Sequence, residues 1–96
     1  MKKDLNEIRQ EINKIDFSMK ELFIQRMNLV KDVIKYKIDN NIDILDSSRE
    51  EEVISLNSKE LIDSEFYSYY IQYLKDVMNI SKEYQSNFLK NKKDGE

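Results

Sequence analysis

Residues 5–22 read LNEIRQEINKIDFSMKEL, and their apolar stripe is Leu5, Ile8, Ile12, Ile15, Met19 and Leu22. The steps alternate between three and four residues without a break. A stripe at that period is the mark of a helix that packs along one face. The next step lands on Arg26, and the series resumes at Leu29, Val33 and Tyr36. The spacing predicts one helix over Leu5–Ile38, about 50 Å long at ~1.5 Å per residue. Asp4, with Glu7 three residues on, supplies a start signal. Asn40-Asn41 supplies a stop, because Asn tolerates the left-handed conformation that ends helices.

Working outward, a short loop over residues 41–45 leads to Asp46-Ser47-Ser48-Arg49-Glu50, where Ser47 and Glu50 have capping-box spacing. A second helix is predicted over Ser48–Asn57, with Val53, Ile54 and Leu56 apolar, and Asn57-Ser58-Lys59 reads as a weak turn. A third helix is predicted to start near Asp63 or Ser64. Its stripe reads Phe66, Tyr70, Tyr73, Val77, Ile80, Tyr84 and Phe88. The expected organisation is one helical domain over residues 1–90 and a polar tail over 91–96, where fraying is expected.

Composition narrows the class further. The 96 residues are 36% charged and 40% hydrophobic, which suits one small folded domain. Pro is absent and the sole Gly is Gly95, so the tight turns of a multi-stranded sheet have no residues to build them. The expectation is all-α. Cys and His are also absent. Thiolate chemistry, Cys-ligated zinc and imidazole bases are therefore excluded, and neither a metal nor a cofactor is expected. The net charge of −3 argues against a nucleic-acid partner. No run approaches the ~18 apolar residues of a membrane span. No apolar segment follows Met1-Lys2-Lys3-Asp4, so no secretory signal is read and a cytoplasmic location is expected.

A first helix of this length outruns its cover. One ten-residue helix and one longer helix cannot shield both ends of its stripe, and a large uncovered apolar stripe usually meets a partner. Two long helices side by side in a homodimer are the simplest solution.

Arg26 interrupts the stripe between Leu22 and Leu29, and Lys37 lies eleven residues on, on nearly the same face. A buried cation needs an anion, either a carboxylate from a neighbouring helix or a ligand. Ser81 and Gln85 are four apart and share a face of the third helix. Each suits an ordinary solvated helix as well as a site. Arg49 and Glu50 open the second helix, where Glu50 also complements the helix dipole. Arg9 flanks the first stripe as a surface arginine would. It is seventeen residues from Arg26, about 25 Å along one helix, so the two cannot grip one small ligand from the same chain. In an antiparallel dimer, Arg9 of one copy approaches Arg26 of the other.

The ordered set resembles the all-helical chorismate mutases. It comprises Leu5-x-x-Ile8-Arg9-x-x-Ile12-x-x-Ile15-Asp16, then Gln25-Arg26, Lys35-x-Lys37, Asp46-x-x-Arg49-Glu50-x-x-Val53 and Ser81-x-x-x-Gln85. The resemblance covers Leu5 to Phe88. The sequence departs from the family pattern in a short second connection and in the aromatic run Phe66-Tyr67-Ser68-Tyr69-Tyr70.

The resemblance implies three helices in an intertwined homodimeric bundle, with two equivalent sites that convert chorismate to prephenate on the route to phenylalanine and tyrosine. It implies that Arg26 and the other subunit's Arg9 hold the substrate carboxylates. Lys37 would bind a carboxylate and the ether oxygen, and Gln85 would meet that oxygen from the other side. Arg49 and Ser81 would complete the anion contacts, while Glu50 and the backbone near Asp46 take the ring hydroxyl. This chemistry suits the missing residues. One C–O bond breaks as one C–C bond forms, with no nucleophile, obligatory proton transfer, metal or cofactor. Two other classes fit the same pattern. One is an isochorismate pyruvate lyase of the same fold, distinguished by its products. The other is a non-catalytic helical dimerisation or adaptor module, in which Arg26 and Lys37 pair internally and leave no cavity. A degenerate regulatory paralogue lies between them, and the complete residue set argues against it.

Overall fold

The computed structural model describes residues 4–43 and 47–94. Three helices follow one another: α1 (Leu5–Asp39), α2 (Ser47–Ser58) and α3 (Tyr67–Asp94). A 3-10 turn (Lys59–Leu61) extends the end of α2. No strand occurs among the described residues. The fold is all-α, as the sequence requires. No described helix is long and apolar enough to cross a membrane.

Both ends of α1 form as the sequence predicts. Asp4 is extended, and its carboxylate accepts the Glu7 amide at 2.8 Å, satisfying a donor that the helix cannot pair. At the other end Asn41 takes φ 56°. The Ile42 amide then donates to the Lys37 carbonyl at 2.8 Å, and the Asn41 amide to Ile38 at 3.3 Å. This pair of bonds is the Schellman arrangement, with Asn in the place glycine usually takes. The Asn40 side chain adds a bond to the Tyr36 carbonyl at 2.8 Å.

Three boundaries differ from the sequence reading. Ser47 is already helical, and Asp46, the residue before it, lies outside the described residues. The turn expected at Asn57–Lys59 does not break the chain there. Ser58 donates to the Ile54 carbonyl within α2, and the 3-10 turn runs on to Leu61. Helix α3 therefore begins at Tyr67, three residues after Ser64. Ser64 instead makes the turn that launches α3, its hydroxyl accepting from the Phe66 amide at 3.0 Å and its carbonyl from Tyr67 at 3.2 Å. The backbone of α3 remains helical to Asp94.

The core is small. Ile34 on α1 and Leu74 and Met78 on α3 are the buried apolar residues among those described, and Ile34 has 0% exposure. The face of α1 that meets the other helices carries Val30, Ile34 and Ile38, while Leu29, Val33 and Tyr36 of the expected stripe are exposed. On α3 the expected stripe splits in the same way. Tyr70, Val77, Tyr84 and Phe88 are half-buried, but Phe66, Tyr73 and Ile80 are exposed. Leu74, Met78 and Ser81 take the inward positions.

From Leu5 to Leu22 every apolar side chain of α1 is exposed, Leu22 at 61%. The protein is correspondingly long, 61 × 29 × 16 Å, with a radius of gyration of 17.5 Å. A compact domain of this length would have about 12.5 Å. As the helix lengths foretold, α2 and α3 cover only the C-terminal part of α1, and they do so along Val30, Ile34 and Ile38, beside the stripe.

Candidate active site

The covered end of α1 carries the charged residues. Arg26, Val30, Val33 and Lys37 recur at helical spacing and line one wall of a cleft of about 260 Å³. Met78, Ser81 and Gln85 of α3 form the facing wall. The first turns of α2 close one side with Arg49, Glu50 and Val53. Leu29, the valines and Met78 supply an apolar lining, and Arg26, Lys37, Arg49, Glu50 and Lys82 supply the charges. Apolar walls with a few convergent polar groups are the usual make-up of a small-molecule site.

Six of the eight residues singled out from the sequence meet in this cleft: Arg26, Lys37, Arg49, Glu50, Ser81 and Gln85. Arg9 does not reach it. It is exposed on the uncovered half of α1. Asp46 lies outside the described residues.

Arg26 shows how the site is set. Its Nη1 donates to the Ser81 hydroxyl at 2.5 Å. Ser81 is 5% exposed, and its hydroxyl donates in turn to the Val77 carbonyl at 3.1 Å. The serine therefore orients the guanidinium without neutralising it. Among the described residues Arg26 makes no ion pair. A half-buried guanidinium held by a neutral acceptor keeps its charge available to a ligand anion. Arg49, by contrast, reaches Glu52 at 2.9 Å on the exposed side of α2.

One lining residue carried no signal in the sequence. Lys82 follows Ser81 on α3 and pairs with Glu50 of α2 at 2.8 Å. A single lysine in a lysine-rich chain has no periodic or motif signature, and its partner is 32 positions away. With it the cleft is lined by Arg26, Lys37, Arg49 and Lys82 and by the carboxylate of Glu50, and two of these cations are paired, Lys82 with Glu50 and Arg49 with Glu52. The guanidinium of Arg26, held by a neutral hydroxyl, is the group that suits a small anion.

The family model of chorismate mutase type II matches residues 8–86. The chain belongs to that family. It is thus an enzyme of the isomerase class, and the matched span contains both the cleft and Arg9. No curated protein and no solved structure matches the chain.

Proposed function

We propose that this protein rearranges chorismate to prephenate in the cleft between α1, α2 and α3, as one half of a homodimer. The observation that carries the reading is Arg26, oriented by Ser81 and unpaired with any described carboxylate, at the wall of this cleft.

The reaction is a unimolecular Claisen rearrangement, so the protein has two tasks. The first is to hold the ring and the enolpyruvyl arm in the compact conformer whose carbon termini can bond, a positioning effect. Arg26 and Arg49 grip carboxylates for this, with Arg9 of a second copy supplying the remaining cation. Glu50 accepts the ring hydroxyl, assisted by the backbone near Asp46. The second task is to stabilise the negative charge that grows on the ether oxygen as the C–O bond lengthens. Lys37 and Gln85, on opposite walls, donate to that oxygen. Donors fixed in advance lower the barrier because they need no reorganisation during the reaction.

The second copy is supported by the exposed stripe from Leu5 to Leu22. Two such stripes packed antiparallel would bury each other and carry Arg9 of each copy toward the other's cleft.

The test is loss of chorismate absorbance, with product identification, for wild type beside Arg26→Ala. Prephenate from wild type and a rate lower by about 10²–10³ in the variant are expected. Salicylate and pyruvate from isochorismate would move the assignment to the lyase. Turnover of neither substrate by a folded dimer would leave the adaptor reading.

A further inference from the structure

Resting on the chorismate reading of the cleft, we propose that Lys82 is a positioning residue that sets the carboxylate of Glu50 for the substrate's ring hydroxyl. The pair joins two helices at the cleft wall, with Lys82 Nζ 2.8 Å from Glu50 Oε1. The side chains are 39% and 31% exposed, against 61% and 65% for the Arg49–Glu52 pair on the outer side of α2. The Glu50–Lys82 pair is therefore the more shielded of the two and the less weakened by solvent.

Glu50 presents a problem that Lys82 solves. A carboxylate lining a site for a dianion repels its own ligand, and a glutamate side chain has three torsions to restrain. Lys82 offsets the charge and fixes one carboxylate oxygen from across the cleft wall. The same turn of α3 then performs three tasks in five residues. Ser81 holds Arg26, Lys82 holds Glu50, and Gln85 lines the cleft directly. Arg26 and Glu50 come from different helices, so α3 is the common reference for the group that grips a carboxylate and the group that grips the hydroxyl.

Both partners line the cleft, so their orientation is part of its surface. The hydroxyl is held alike before and during the rearrangement, so loss of Lys82 weakens binding more than it slows the chemical step.

The experiment is a double-mutant cycle on the full chain. It compares wild type, Lys82→Met, Glu50→Gln and the double variant by kcat and KM for chorismate, with circular dichroism and oligomeric state recorded for each. Lys82→Met is expected to raise KM about tenfold and to change kcat by less than about threefold. Lys82→Arg keeps the charge and restores KM to within about twofold of wild type. In the Glu50→Gln background Lys82→Met adds less than about twofold, because the group it acts through is already altered. An undiminished penalty in that background would show that Lys82 acts on substrate directly and would overturn the proposal. Wild-type KM in Lys82→Met would overturn it too, with the mutase assignment intact. Failure of wild type to turn over chorismate would remove the assignment and this inference together, and the wild-type arm alone separates that case from the others.

Discussion

The two halves of α1 have opposite fates. In the C-terminal half Ile34 is fully buried, and Arg26 is bonded to Ser81. In the N-terminal half the stripe from Leu5 to Leu22 is exposed throughout. The difference shows that a heptad specifies a face to be covered and says nothing of what covers it. Where α2 and α3 lie against α1, the face becomes a site wall. Where they end, the apolar stripe is left exposed.

The sharpest way to break this comparison is to alter one charge in each half. Arg26→Ala and Arg9→Ala are each expected to lose about 10²–10³ in kcat/KM. The singly altered proteins should differ in one respect: mixed in equal amounts and allowed to exchange, they recover activity. Random exchange puts half the chains in mixed dimers, each with one intact site, so about a quarter of wild-type activity should return. Recovery of none would place both arginines in the same chain's site, or in no shared site, and would end the antiparallel arrangement.

Apolar truncations come next. Ile34→Ala should cost about 2–4 kcal/mol by opening a cavity in the covered half. Ile12→Ala lies in the uncovered half and should act through association. Its effect on thermal midpoint is expected to grow on dilution, whereas the Ile34→Ala shift, measured against wild type at each concentration, holds steady. Equilibrium sedimentation with denaturation at two protein concentrations checks both. A concentration-independent Ile12→Ala would mean that no second copy covers the stripe.

The smallest effect expected is at the helix start. Asp4→Ala removes the acceptor for the Glu7 amide and should cost about 1 kcal/mol, read by urea denaturation.

Much of this fold was legible because the deciding interactions are local. Asp4 and Glu7 are three apart, and Asn41 answers to its own backbone, so both ends of α1 could be placed within a residue or so. The start of α3 was less legible. The 3-10 turn after Ser58 and the Ser64 turn are short structures without a periodic signal. The stripe of α3 was read along its edge because apolar residues outnumber its inward positions. Phe66, Tyr73 and Ile80 form a second line seven residues apart, and periodicity alone cannot rank two adjacent lines. For the site, Arg26 announced itself by standing where an apolar residue was due, and Lys37, Ser81 and Gln85 by their spacing. Lys82 broke no pattern, and only the packing of α2 against α3 shows what it faces.

The reach of α1 past its neighbours also bears on how the protein comes into being. Helices of this kind form on a microsecond scale from neighbours in sequence. In the proposed dimer the N-terminal half cannot finish that way, because its cover belongs to another chain. The last step of folding in that arrangement is an encounter between molecules, and its rate should rise in proportion to protein concentration.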